Sequence, residues 1–161
     1  RTCDFAVNDV TPATMAQVHA AAFDDEVRAW SETAISTLLA DPTVKSVSIA
    51  DSGFALIRVI PPEAEILTLA VLPDAQGQGY GKALMTQAIA MAQKIGITTM
   101  LLEVGVHNIA ARSIQMDNVA TLCLCCAYFH DVVNRGAIHR LDFVQCSIQI
   151  NPVDPNLRFC A

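Results

Sequence analysis

The stretch Gln76-Gly77-Gln78-Gly79-Tyr80-Gly81-Lys82 carries the densest chemistry in the chain. It stands between an apolar run and a segment of helical periodicity, where exposed backbone N–H groups and the positive end of a helix can hold a pyrophosphate. Glycines let phosphates approach the backbone closely because no Cβ intervenes. Spacing separates the phosphate loops that compete for this stretch. A Walker loop requires glycine five residues before Gly81 and Ser or Thr after Lys82, where the chain has Gln76 and Ala83. A dinucleotide fingerprint beginning at Gly77 and Gly79 requires a third glycine at Lys82, and its usual place is the first strand of a domain. From the loop alone, a glycine-rich turn without a ligand stays open.

The cysteines suggest a second chemistry. Cys3 stands alone, and the other five of the six lie from Cys123 onward, including Cys123-Leu124-Cys125-Cys126 with His130 four residues on. Structural zinc sites space their cysteine pairs by two to four residues and supply a second pair, so free buried thiols fit better than a metal, and no metal is expected.

These groups must be positioned by the rest of the chain. Cys3 to Val7 reads as a short strand. Thr11 offers a hydroxyl cap with Pro12 in the first turn, and Met15, Val18, His19 and Ala22 recur at helical spacing toward Phe23. His19 on that apolar side reads as a packed residue without chemistry. Ser31 caps a second helix through Ala34, Ile35, Leu38 and Leu39, stopped by Asp41-Pro42. Trp30 before it plugs the core, borders a substrate cleft, or does both. Val44 to Ala50 and Phe54 to Ile60 form a hairpin around Asp51-Ser52-Gly53, and Pro61-Pro62 ends it. Glu65 to Leu72 is predicted as a buried central strand. A helix follows from about Gly79 to Ile95, with Leu84, Ala88, Met91, Ala92 and Ile95 on one face and Gly96 as its stop. Thr98 to Val104 is a further strand. Strand, loop, helix and strand make a right-handed crossover whose strands should be parallel. The fold class is therefore α+β, layered α/β/α around one mixed sheet, in a single domain spanning 1–161.

The totals exclude some function classes. At 161 residues, one domain buries about two-thirds of the surface its unfolded form exposes. The 53% hydrophobic content and mean hydropathy of +0.40 raise a membrane reading. That reading fails on length, because Asp41, Lys45, Arg58, Glu63, Asp74 and Lys94 interrupt every run that approaches the roughly 20 apolar residues a spanning helix needs. With no basic-then-apolar segment at the N-terminus, a cytoplasmic location is expected by default. A formal net charge of −6, with ten Lys and Arg scattered singly, offers no positive face for nucleic acid and accommodates a cationic partner more easily.

Gln76, Gly79 and Gly81 also meet the Gln/Arg-x-x-Gly-x-Gly/Ala signature of the GCN5-related N-acetyltransferase (GNAT) superfamily, which the chain resembles. The resemblance extends over Ala64 to Pro73, Leu101-Leu102-Glu103-Val104 and Asn108-Ile109-Ala110-Ala111-Arg112, and to Ala21-Ala22-Phe23 and Trp30-Ser31. Over about residues 3–113 the order of these features resembles that of the ribosomal-protein-alanine N-acetyltransferases. The resemblance implies a GNAT fold, acetyl-CoA as cofactor, and acetyl transfer to a primary amine such as a ribosomal-protein N-terminus. It implies that the backbone of Leu69, Ala70 and Val71 pairs with the pantetheine arm, that Gly77, Gln78, Gly79, Tyr80, Gly81 and Lys82 hold the pyrophosphate, and that Asn108 contacts the cofactor. Glu103 occupies the position of the family's general base. An α-amine has a pKa near 8 and attacks only when neutral, so a nearby carboxylate is a useful proton acceptor.

The chain departs from the family after residue 113. Where the family has a Leu-Tyr pair, with the tyrosine as general acid, Ile114 is followed by Gln115, and a neutral amide cannot deliver that proton. No Gly-Phe turn follows, and residues 114–161 read as a divergent or frame-shifted tail with atypical or incomplete final strands. Ala120 to Phe129 and Leu141 to Ile150 remain strand-like. A non-catalytic acyl-CoA-binding protein, or a product defective in turnover, is the alternative function, and a small-molecule amine is the alternative acceptor.

Overall fold

A computed structural model describes residues 10–23, 29–105 and 143–150. In chain order the elements are α1 (Pro12–Ala22), α2 (Glu32–Ala40), β1 (Val44–Ile49), β2 (Gly53–Ile60), β3 (Glu63–Val71), a 3-10 turn (Pro73–Ala75), α3 (Tyr80–Ile95), β4 (Thr99–Gly105) and β5 (Phe143–Gln149). The strands expected over Cys3 to Val7 and Ala120 to Phe129 lie outside the described residues, as do the cysteine cluster and His130.

Both early helices begin at the expected hydroxyls. Thr11 Oγ1 accepts the N–H of Thr14 at 3.2 Å, and Ser31 Oγ accepts that of Ala34 at 3.2 Å, each satisfying one donor that the first helical turn cannot. At the far end of α2, Asp41 accepts the hydroxyl of Thr43 at 2.7 Å and its N–H at 2.8 Å. Those two bonds, hydroxyl first, and then the nearby charge of Arg58 hold the Asp41 carboxyl below the usual carboxylate range.

The sheet runs in the order β1-β2-β3-β4-β5, so β3 is its middle strand among the described residues. β1, β2 and β3 are antiparallel neighbours, β3 and β4 are parallel as the crossover predicts, and β5 returns antiparallel to β4. β2 serves both faces. Phe54 and Leu56 pack with Met15, Val18 and Ile35 of the first two helices, whereas Ile57 and Val59 pack with Met85, Ala88, Ile89 and Ala92 of α3. Apolar layers on both sides of the strand explain its nearly continuous hydrophobic run.

Two local expectations are corrected. The hairpin turn takes its left-handed residue from Ala50, at φ +44°, while Gly53 opens β2. A Cβ on Gly53 would lie 2.9 Å from the Ala70 carbonyl oxygen and 3.2 Å from Leu84 Cδ1, so close approach of β2, β3 and α3 is what requires glycine there. On α3, Ile95 is 43% exposed rather than core-facing, whereas the half-buried Met91 does pack against the core. Ile95 occupies the last turn, Gly96 reverses the chain at φ +85°, and Ile97 takes the core position instead. Leu84, Ala88 and Ala92 are buried as expected, and Met85 and Ile89 complete the buried face of α3.

Within the strand-like stretch from Leu141 to Ile150, Phe143–Gln149 form a strand. β5 pairs along the whole of β4, from Thr99 opposite Gln149 to Gly105 opposite Phe143. Ile148 and Ile150 enter the core beneath α3. Residues beyond 113 thus supply a strand to the sheet.

Candidate active site

The site begins with an irregularity in β3. Leu56 lies opposite Thr68 but Ile57 lies opposite Ile66, leaving Leu67 as an extra residue between them. Such a bulge bends its strand and changes which side chains face which way. Before it, Ala64 and Ile66 pack toward α3; after it, Leu69 and Val71 do so, while Ala70 joins the core under α1 and α2. Parallel pairing between β3 and β4 runs from Glu63 opposite Thr99 to Ile66 opposite Leu102, and stops at the residue before the bulge. The two strands then part. Glu103, the next residue of β4, pairs with Gln145 on β5 and has no partner on β3. Among the described residues, the β4-facing edge of Leu67 to Val71 is left open, with the exposed side chain of Glu103 beside the gap.

The glycine loop closes one end of this gap. Gln76 Nε2 donates to the Val71 carbonyl at 3.0 Å, tying the loop to the end of β3, and Gln78 Nε2 donates to the Asp74 carbonyl at 2.9 Å. Gly77 and Gly79 adopt φ values of +75° and +86°, which strain any residue with a Cβ. No atom lies within 4 Å of an ideal Cβ at either position, so backbone twist rather than crowding demands these glycines, and the space before them is open. Gly79 caps α3 without a side chain to accept from the first turn. The N–H groups of Tyr80 and Gly81 therefore have no acceptor inside the helix. Ala75, Leu84, Ile49 and Val71 form a buried cluster that anchors the loop from beneath. First-turn amides without an acceptor inside the helix, the positive helix end and the exposed Lys82 together suit a pyrophosphate.

The other end of the gap is a cavity of about 280 Å³ bordered by Trp30, Leu38, Arg58, Glu65, Leu67 and Glu103. Arg58 Nη1 lies 3.6 Å from Glu65 Oε2. Trp30 is held from behind by His19, which is 2% exposed. His19 Nδ1 accepts the Trp30 backbone N–H at 3.3 Å, and the two rings stack 5.1 Å apart at 14°. Phe23 packs on the same imidazole at 4.5 Å. Burial pushes the His19 pKa below its ordinary value, which keeps the Nδ1 lone pair available. Trp30 packs against the α1–α2 core, as one expectation had it, and it also borders the cavity.

Leu69, Ala70, Val71 and residues 77–82 thus meet at one end of the opening and Glu103 stands at its edge, while Asn108 lies outside the described residues. Arg58 and Glu65 were not singled out from sequence. A signal existed: each is a charged residue inside an apolar strand run, and hairpin pairing sets them opposite one another. Among the described residues no group of three or more His, Cys, Asp or Glu could hold a metal, and no helix is long and apolar enough to cross a membrane.

The sequence matches the Acetyltransferase (GNAT) family over residues 15–114, and the chain belongs to that family. It is 42% identical over 60 residues to the ribosomal protein bS18-alanine N-acetyltransferase of Escherichia coli K12. That match covers 37% of this chain and 40% of the relative, so the chain spans about two-fifths of the length of the curated relative it matches. The crystal structure of the ribosomal-protein-S18-alanine N-acetyltransferase from E. coli superposes with a TM-score of 0.63 at 24% identity, covering 92% of this chain and 93% of that one. The PaiA N-acetyltransferase of Thermoplasma acidophilum, solved in complex with coenzyme A, gives a TM-score of 0.51 at 18% identity, covering 87% and 88%. At these identities the structural likeness establishes a shared fold.

Proposed function

We propose that the chain transfers the acetyl group of acetyl-CoA to a primary amine, and that the acceptor is the α-amine of a protein N-terminus, of the ribosomal-protein-alanine kind. One observation carries this reading: β3 and β4 part immediately before Glu103, so the glycine loop and a carboxylate border the same opening. The sequence match to the alanine N-acetyltransferase of E. coli, though it spans only part of that protein, supports the choice of acceptor.

Acetyl-CoA supplies an activated thioester. The amides at the start of α3, with Gly77, Gln78, Gly79, Tyr80, Gly81 and Lys82, bind its pyrophosphate. The open edge at Leu69, Ala70 and Val71 bonds the pantetheine amides as an added strand would. A backbone N–H on this edge donates to the thioester oxygen as negative charge builds there. Asn108 is assigned a further cofactor contact on the family resemblance. Glu103 takes the proton of the incoming ammonium, directly or through water, and the neutral nitrogen attacks the carbonyl carbon. The nitrogen–carbon bond forms and the carbon–sulfur bond breaks; the nitrogen gives its second proton to solvent and the departing thiolate takes one from it, leaving the amide and CoA. Holding both reactants in one opening supplies much of the rate.

Gln115 favours a second reading, a protein that binds acyl-CoA without turnover, because the family resemblance puts an acidic tyrosine there. A thermal-shift titration with acetyl-CoA and CoA, paired with thiol release on an Ala-initiated ribosomal peptide, separates the two. Stabilisation together with release is expected. Stabilisation without release leaves the second reading, and neither response removes the cofactor assignment.

A further inference from the structure

Arg58 and Glu65 take no part in the chemistry above, yet they border the same cavity as Glu103. Their arrangement follows from strand register. Arg58 on β2 is directly opposite Glu65 on β3, which in turn is opposite Leu101 on β4. Glu103 lies two residues beyond Leu101 on the same face, at the diagonal position toward the opening. Two carboxylates and one guanidinium therefore surround a space flanked by the Trp30 indole and by Leu38 and Leu67. The Arg58 and Glu65 side chains are 37% and 48% exposed. An ion pair at that exposure contributes about 0–1 kcal/mol to stability, too little for folding to be its main consequence. A guanidinium has five N–H donors in a planar fork, so the 3.6 Å contact with Glu65 leaves donors for a ligand.

The charge pattern has a definite complement. An ammonium needs acceptors, which Glu103 and Glu65 supply. A hydrogen-bond acceptor beside that ammonium needs a donor, which Arg58 supplies. The α-amine of a peptide carries a carbonyl oxygen on the adjacent carbon. A lysine ε-amine or a simple alkylamine has only hydrocarbon groups there. A diamine would set its second cation against the guanidinium. On the basis of the acetyl-transfer reading, we propose that Arg58, steadied by Glu65, is the specificity-determining residue of the acceptor site. Its guanidinium takes the first carbonyl oxygen of a peptide acceptor and so selects α-amines over amines that lack a neighbouring carbonyl.

The test measures acetyl-CoA-dependent thiol release by the full chain and by Arg58→Met and Arg58→Lys. The acceptors are an Ala-initiated peptide, an N-terminally blocked peptide with one lysine, and the pair alaninamide and isopropylamine, which differ in the carboxamide. The full chain should favour the Ala-initiated peptide and alaninamide. In Arg58→Met the kcat/KM ratio within each pair should fall by about tenfold, chiefly through a raised KM for the carbonyl-bearing acceptor, because a site built to bond a polar group discriminates by that bond. Arg58→Lys, which keeps one cationic donor, should recover part of the ratio. The acetyl-CoA thermal shift should be the same in all three proteins and reports their folding. An unchanged ratio in both variants, or equal loss on all acceptors, overturns the role of Arg58 and leaves acetyl transfer standing. Absence of release from every acceptor by the full chain overturns acetyl transfer and this role with it.

Discussion

The two ends of the opening beside β3 are built by different means. At the glycine loop, the groups that can meet a ligand are backbone amides and left-handed glycines contributed by one continuous segment, tied down by the side chains of Gln76 and Gln78. At the cavity, they are side chains drawn from distant parts of the chain: Trp30 ahead of α2, Arg58 on β2, Glu65 on β3 and Glu103 on β4. A backbone cradle recognises any pyrophosphate of the right shape, and its sequence is constrained by conformation. A side-chain cavity is free to vary residue by residue, which is how one fold accommodates many acceptors.

If the two ends act separately, substitutions should affect them separately. The largest effect is expected from Glu103→Gln, which removes the proposed proton acceptor at similar size. Turnover should fall by about a hundredfold while acetyl-CoA affinity stays the same, measured by steady-state kinetics and thermal shift. A loss of acetyl-CoA affinity would merge the two ends. Gly79→Val tests the opposite end. Its φ of +86° disfavours a branched residue by about 1–2 kcal/mol, and the added Cβ projects into the open space before the loop. Acetyl-CoA binding should weaken by about tenfold or more with the preference among acceptors unchanged. An altered preference would contradict the division.

Smaller effects bear on what holds the cavity in shape. Ser31→Ala removes the cap of α2, next to Trp30. It should cost about 1 kcal/mol and lower Tm by about 2–4 °C, seen in thermal melts, with a modest rise in acceptor KM if Trp30 shifts. The subtlest effect concerns pH. Because burial lowers the His19 pKa below 6.5, the native protein resists a proton that the unfolded chain accepts. That contribution to stability is complete above the unfolded value and is lost as pH falls through the folded one. Urea midpoints between about pH 7.5 and 5.5 should decline more steeply for the full chain than for His19→Asn, whose amide oxygen can still accept from Trp30. Parallel slopes would show that His19 is not the group responsible.

Much of the framework was legible in the order of residues, for reasons that are local. A hydroxyl before Pro12 and another before Glu32 start helices because a first turn has donors to satisfy, wherever that turn lies in space. The loop was legible for the same kind of reason, since spacing within seven residues excluded the Walker and dinucleotide geometries before any contact was known. Where local reasoning failed, a distant neighbour intervened. Gly53 looked like a turn glycine but is required by Ala70 and Leu84, and Ile95 shares the periodicity of α3 yet lies past the end of what it could cover.

Glu103 shows where legibility stops. Its position was readable only through resemblance to a family, and nothing in Leu-Glu-Val distinguishes it from an ordinary strand-end carboxylate. The slip of one residue at Leu67 is what sets it at an opening, because that bulge falls where β3 leaves β4. The facing of Arg58 and Glu65, and the anchoring of Trp30 by His19, likewise depend on pairings and packing between segments 7 to 11 residues or more apart. Helix caps, strand periods and glycine loops are short-range consequences of backbone sterics and hydrogen bonding, so they can be read in sequence. Which carboxylate faces which guanidinium across a cavity depends on strand register and sheet opening, and those arise only when the whole sheet packs between its helices.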